Sequence, residues 1–263
     1  MMLLETSGLT RRYAGLVAVD HVDLAIPEGG VHAIIGPNGA GKTTLFNLLS
    51  GVVTPSEGSI RFGGADITQL PPYRRAGLGM ARTFQNIRIF TAMTVLENVL
   101  TGLHPRMNAG LVSIVARLPG FRTEEREGVA AARAALALVG LEAQADLPAG
   151  ALAYGDQRRL EIARAMAQRP RLLLLDEPAA GMNPAETRAT TELVGRLAQG
   201  GTTILLVEHD MGFVMGVSDS VTVINFGRKI FAGTPEAVRS EPAVIEAYLG
   251  ARLAAKLQAQ HGR

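Results

Sequence analysis

The sequence predicts an α/β fold organised on a parallel sheet, and three features carry the prediction. Val31 to Ile35, Leu172 to Leu175 and Thr203 to Val207 are short apolar runs of strand length. Each is followed by loop residues and then a helical pattern, the alternation of a sheet covered by helices on its faces. Between the first run and its helix stands a glycine-rich segment, Gly36 to Thr43.

Ahead of that core, Leu16 to Ile26 reads as extended, with Val17 and Val19, then Val22, Leu24 and Ile26, on alternating positions. Gly58 to Gly64 carries the small-residue punctuation of a hairpin, so an antiparallel β portion is expected beside the parallel sheet. From Leu96 to Gly140 the texture becomes Ala- and Leu-rich and helical, with breaks expected at Pro105, Pro119 and Gly120. After Pro178 the chain returns to the sheet. Asn183-Pro184-Ala185-Glu186 is a helix start: Asn183 caps, Pro184 takes the first helical position and Glu186 reaches back to free amides. Thr234-Pro235-Glu236 repeats that signal. The expected organisation is one domain over residues 1–263: 1–95 and 170–263 form the core with its antiparallel portion, and 96–169 form a helical subdomain.

Composition bounds the function. The 263 residues are 47% hydrophobic and 19% charged, with a formal net charge of +2. That charge gives nucleic-acid binding no support. No apolar run approaches the ~18 residues of a membrane span. The first ten residues lack the basic, apolar and cleavage regions of a secretory signal, so the expected location is cytoplasmic, peripheral on the inner face of the cell membrane. Cysteine is absent, which removes disulfides, thiolate metal sites and a cysteine nucleophile. The basic pairs Arg74–Arg75 and Arg158–Arg159 are expected to be solvated surface unless a motif claims them. His21, His32, His104 and His261 read as packed or surface histidines.

The chemistry begins in the glycine-rich segment. Gly36-Pro37-Asn38-Gly39-Ala40-Gly41-Lys42-Thr43 fits G-x-x-x-x-G-K-[ST] and lies between a strand and a helix opening at Thr43 and Thr44. Glycines let successive amides turn toward an anion, and the helix N-terminus adds partial positive charge. Lys42 supplies a full charge, and the Thr43 hydroxyl can ligate Mg²⁺. The run Leu172 to Leu175 ends in Asp176, whose carboxylate is placed for the Mg²⁺ shell. Glu177 follows, and strand alternation is expected to turn it away from Asp176 and toward the γ-phosphate as general base for water. The fold class is therefore that of a P-loop NTPase. The only lysines, Lys42, Lys229 and Lys256, provide no Asn-Lys-x-Asp guanine reader, so the expected nucleotide is ATP.

Between the two phosphate-loop parts lies Leu152-Ala153-Tyr154-Gly155-Asp156-Gln157-Arg158-Arg159-Leu160-Glu161-Ile162-Ala163-Arg164-Ala165. Here the chain resembles the ATP-binding-cassette ATPases, whose signature segment occupies this place. The resemblance implies a mixed-sheet core with antiparallel β and helical subdomains. It implies that Tyr13 stacks on adenine, that Gln85 senses Mg²⁺, water and the permease, and that His209 is the switch histidine. It also implies a head-to-tail dimer in which Ala153, Tyr154, Gly155, Asp156 and Gln157 complete the ATP site of the opposite subunit, with Gly181-Met182-Asn183 crossing the interface. The chain departs from the family's pattern at Ala153 and Tyr154, where Ser and Gly are usual, and at Asn183, where Asp is common. The serine hydroxyl contact to the opposite γ-phosphate is therefore missing.

Those variants, with Asp176-Glu177-Pro178-Ala179-Ala180-Gly181-Met182-Asn183-Pro184, Glu208 to Met211, and the tail Gly233 to Gly250, resemble the LivG-type ATPase subunits of branched-chain amino acid importers. The helical stretch between Leu103 and Gly128 is similar to the insertion of that group. The implied partners are a second, LivF-like ATPase or a second copy of the chain, two membrane permeases, and indirectly a periplasmic amino-acid-binding protein. Phe84 to Phe90, with Ile87, Ile89 and Phe90, is the implied permease-docking segment. Importers of urea or short amides use similar subunits. Cassettes that act on nucleic acid or ribosomes usually carry a long coiled-coil insertion or two cassettes per chain, and this sequence has neither.

Overall fold

The computed structural model describes residues 1–85, 87–103 and 119–249, with 119–125 and 249 described by backbone alone. Two sheets form the frame. Strands β1 (Met2–Tyr13) and β2 (Leu16–Pro27) pair antiparallel. Strand β4 (Glu57–Phe62) adds to the other edge of β1, and β5 (Ala65–Asp66) folds back across Gly63–Gly64, giving the order β2-β1-β4-β5. The apolar pattern of β2 changes parity between Val19 and Val22 because the ladder slips there. His21 takes φ 50°, and the register shifts between Leu9↔Val22 and Arg11↔Val19, so both valines are buried. The apolar alternation of β1 is masked by buried Thr6 and Thr10. The Thr6 hydroxyl donates to Val22 O and accepts from Leu24 N.

The second sheet has the order β10-β9-β3-β8-β7-β6, parallel throughout except for β10 on β9. The three apolar runs are its centre: β3 (Val31–Ile35), β7 (Leu172–Asp176) and β8 (Thr203–Val207), buried at every position. Strands β6 (Met80–Arg82), β9 (Ser220–Asn225) and β10 (Arg228–Gly233) flank them. Period-two alternation divides the interior. Val31, Ala33, Ile35, Leu173, Leu175, Ile204 and Leu206 join one core; Ile34, Leu172, Leu174, Leu205 and Val207 join the other. His32 is a packed histidine, bonded to Ser220 Oγ and Gly29 O.

Helix α1 (Lys42–Leu49) and the antiparallel sheet cover the second core. The first core is covered by α3 (Val95–Leu103), α4 (Pro119–Val139) and α5 (Tyr154–Met166), together with α6 (Pro184–Gln199) and α7 (Met211–Val217). Short helices α2 (Pro72–Gly77), α8 (Pro235–Ser240) and α9 (Pro242–Leu249) complete the set. The capping box at Asn183 forms as expected: its side chain accepts from Ala185 N and Glu186 N, and Glu186 accepts from Asn183 N. Thr234 caps α8 by accepting from Ala237 N.

Two expectations are corrected. Gly120 does not break a helix but lies in the first turn of α4, which begins at Pro119, a position where proline sacrifices no helical donor. Arg75 is not solvated surface. It is 1% exposed, and its guanidinium donates to Leu48 O, Leu49 O, Thr68 O and Leu70 O, caught between the C-terminus of α1 and the turn before α2. The expected break at Pro105, and residues 104–118 of the implied insertion, lie outside the described residues, as does Gly250.

Candidate functional site

Gly36 to Thr43 runs from the end of β3 into α1, threaded between β9 and β2. At Gly36 a Cβ would lie 2.0 Å from Ile224 O, and at Gly41, with φ 99°, it would lie 2.3 Å from Ala18 O. No larger residue fits either position. Gly227 N donates to Ala40 O at 2.9 Å, and Asp20 N donates to Gly227 O at 2.8 Å, tying the loop to the β9–β10 turn and to β2. The N-terminus of α1 has no side-chain cap, so its first amides remain available to an anion, and Asn38, Gly39 and Thr43 are exposed beside them. Thr44 is half-buried behind Thr43. Lys42 Nζ curls under the loop and donates to Gly36 O at 2.7 Å and Pro37 O at 2.9 Å. Burial pushes its pKa down, and the negative charge of Glu177 opposes that shift.

Asp176 is the last residue of β7, and its side chain is 5% exposed. Its Oδ2 accepts from Arg82 Nη2 at 2.9 Å, while Arg82 Nη1 donates to Asn47 Oδ1 and Ser50 Oγ at the end of α1. One buried guanidinium therefore joins the carboxylate to the helix that carries the loop. The orientation of Glu177 has a different origin from the one expected. The strand ends at Asp176, and Glu177 takes a left-handed φ of 48°, so backbone curvature rather than strand alternation separates the two carboxylates. Glu177 N donates to Val207 O, and its Oε2 accepts from Gln85 Nε2 at 3.0 Å. His209 Nδ1 is 3.9 Å from the same oxygen, on a side chain 60% exposed.

Glu208, fully buried, accepts from Ala179 N, His209 N and Asp210 N and so fixes the turns carrying Glu177 and His209 together. Tyr13 lies at the end of β1, half-exposed, with the Arg11 guanidinium 4.5 Å from its ring centroid and covering one face.

The segment Ala153 to Gln157 forms the start of α5. Ala153 is the N-cap and offers no side-chain acceptor. Tyr154 Oη donates to Ala180 O at 3.2 Å, and its ring lies 3.3 Å from where a Cβ on Gly181 would be. At Gly155 a Cβ would meet the Glu186 carboxylate at 3.0 Å. Asp156 pairs with Arg159, and Gln157 Nε2 donates to Leu152 O. Among the described residues, no hydrogen bond or ion pair joins this segment to Gly36–Thr44.

Known proteins share this fold. A family model described as ABC transporter matches residues 19–180. The chain belongs to the ABC transporter family. A second model, described as branched-chain amino acid ATP-binding cassette transporter, matches residues 228–254 of the cassette. The cassette is 49% identical over 249 residues to a Pseudomonas aeruginosa protein named high-affinity branched-chain amino acid transport ATP-binding protein BraF. That match spans 94% of this chain and 98% of that protein. The Escherichia coli protein of the same description, LivG, is 47% identical over the same shares. A crystal structure of the ADP conformation of an ATP-binding cassette of an ABC transporter superposes with a TM-score of 0.83 at 32% identity, covering 95% of this chain and 99% of that one. The cassette is a nucleotide-binding ATPase, and ATP hydrolysis coupled to transport is the activity of its family.

Of the residues read from sequence, Gln85, Glu177 and His209 meet at one point, with Lys42 close enough to sense the Glu177 charge. Asp176 lies one residue away. The residues that sequence reading missed are the ones that hold these in place: Arg82 on Asp176, Glu208 beneath His209, and Arg158 with Glu161 on the backbone of the Gln85 segment. Arg158 and Glu161, three residues apart on one helix, are the only pair with a local charge signal.

Proposed function

We propose that the cassette binds ATP through the amides of Gly36 to Thr44 and the Lys42 ammonium, hydrolyses it, and powers the import of branched-chain amino acids. The contact between Gln85 Nε2 and Glu177 Oε2, with His209 beside it, carries the catalytic part. In this reading Glu177 takes a proton from the attacking water as general base, Gln85 fixes the orientation of the carboxylate, and the exposed His209 ring donates to the terminal phosphate. Tyr13 offers adenine its face opposite Arg11.

Thr43, Gln85 and Asp176 would hold Mg²⁺, which when bound offsets negative charge on the phosphates. The donor set fits that ion. An ion held through one carboxylate, a hydroxyl, an amide oxygen and substrate phosphates is the usual pattern for Mg²⁺.

The cargo assignment rests on the near full-length likeness to proteins named for branched-chain amino acid transport. The separation of Ala153–Gln157 from the loop of its own chain supports a head-to-tail pairing with a second cassette, LivF-like or another copy. In that pairing each signature completes the opposite site. Residues 96–169 act as a helical subdomain of the single nucleotide-binding domain. Among the described residues no helix is long and apolar enough to cross a membrane, so attachment to the inner face comes through two permeases, served outside by a periplasmic amino-acid-binding protein. Their seat is the cavity of about 520 Å³ lined by Tyr73, Arg82, Phe84, Arg88 and Phe90, where Phe90 is 52% exposed. Affinity purification of the tagged chain from membranes tests the assembly. A second ATPase and two permeases are expected; ribosomes or nucleic acid would contradict it.

A further inference from the structure

The start of α5 grips both neighbours of Glu177. Arg158 is 3% exposed; its Nη1 donates to Phe84 O at 2.7 Å, and its Nη2 bonds Gln85 O. Glu161, one turn on, accepts from Phe84 N through Oε1 and faces Arg158 Nη1 at 3.4 Å through Oε2. Three backbone groups, Phe84 N, Phe84 O and Gln85 O, are thus held by one helix face, and the Gln85 side chain leaves that grip to reach Glu177 at 3.0 Å.

On the same face, four residues earlier, Tyr154 stacks near the Arg158 guanidinium, at 5.9 Å to the ring centroid, and donates to Ala180 O. Ala180 N in turn donates to Glu177 O at 3.1 Å. The Nη atoms of Arg158 are committed to the loop while its buried Nε has no partner among the described residues, so its hydrogen bonding is arranged around the Phe84–Gln85 carbonyls.

We propose that Arg158 is a positioning residue for hydrolysis: it sets Gln85 against Glu177, and the Tyr154–Arg158 face carries any displacement of the signature helix to that contact. This rests on the reading of Glu177 as general base. A guanidinium spans two adjacent carbonyls with a planar fork, whereas an ammonium on a flexible stem does not hold both in one plane. Arg158→Lys therefore keeps the charge and loosens the grip, and it is the variant of choice.

The test is steady-state ATP hydrolysis and equilibrium ATP binding by the membrane complex recovered with the tagged chain, for wild type, Arg158→Lys, Gln85→Ala and the double variant. Arg158→Lys is expected to lower kcat about tenfold, with KM and ATP affinity within about twofold, because a displaced catalytic contact costs turnover rather than binding. In the Gln85→Ala background the same change is expected to add less than about twofold, since both act through one contact. Multiplicative effects of the two substitutions, or a rise in KM at unchanged kcat, overturn the proposal. Thermal unfolding of each variant separates these outcomes from loss of fold; if Arg158→Lys does not assemble, Tyr154→Phe, which deletes one hydroxyl, is read through the same cycle with Gln85→Ala. Glu177→Gln is the parallel control. Full turnover in that variant removes the general-base reading, while the cycle between Arg158 and Gln85 still reports whether α5 sets the Gln85 side chain.

Discussion

Replacing Arg75 with Met removes a buried cation while keeping an unbranched stem, and the structure sets the size of the effect. The carbonyls of Leu49, Thr68 and Leu70 have Arg75 as their hydrogen-bond partner, whereas Leu48 O also accepts from Gly51 N. Leaving these acceptors unpaired, Leu49 O and Thr68 O buried and Leu70 O part-buried, costs about 2 kcal/mol each on average, roughly 6 kcal/mol together. Against this, burial pushes the Arg75 guanidinium down to about 10, so removing the charge recovers about 3 kcal/mol of desolvation. The net loss is about 3 kcal/mol, which for a domain of this size lowers Tm by roughly 6–12 °C. Thermal unfolding followed by circular dichroism, without nucleotide and at neutral pH, measures it. A fall of less than about 2 °C would refute the reasoning, because it would mean that the carbonyls need no cation to hold the end of α1 against the turn before α2.

Three further outcomes test the site. Lys42→Ala should weaken equilibrium ATP binding by about 100-fold, since it deletes the one full charge in the loop; undiminished binding would remove the loop from the nucleotide site. Asp176→Asn should abolish the gain in ATP affinity that Mg²⁺ provides while leaving binding in chelator unchanged, and should cost about 2–3 kcal/mol of stability because Arg82 loses its buried counter-ion; an unaltered Mg²⁺ response would exclude Asp176 from the metal shell. Burial raises the pKa of Glu161 against the opposing Phe84 amide and Arg158 charge, so its stability contribution is full below the ordinary carboxylate range and is lost as pH rises through the raised value. The Tm of Glu161→Gln relative to wild type should consequently increase from pH 4.5 to pH 8; a flat or falling difference would show that Glu161 is not held in that state.

The central strands and the phosphate loop were legible because their causes are local. Residues in β3, β7 and β8 are apolar at nearly every position since both sheet faces are covered, and Gly36 and Gly41 are dictated by backbone contacts that admit no Cβ. Edge strands were less visible. β6 is three residues long, and β1 hides its alternation behind Thr6 and Thr10, which satisfy their hydroxyls inside the antiparallel sheet.

Arg75 read as surface because a lone sequence does not show that four carbonyls would converge on it. The same blindness covered Arg82, Arg158 and Glu208, each of which acts on groups 29 to 94 residues away. The direction of the Glu177 side chain was read from strand alternation, whereas its left-handed backbone, invisible in the run of leucines before it, is what aims the carboxylate at Gln85. Tyr154, a departure from the family's signature in sequence, gains a partner in structure through Ala180 O.

The most direct test of the account is leucine uptake into proteoliposomes holding the complex recovered with the tagged chain and supplied with its periplasmic amino-acid-binding protein, compared between wild type and Glu177→Gln. ATP-dependent uptake by wild type is predicted, with uptake and hydrolysis lowered at least about 100-fold in Glu177→Gln while ATP binding persists. Equal uptake by the two proteins, or a wild-type complex that hydrolyses ATP yet moves no branched-chain amino acid, would contradict it.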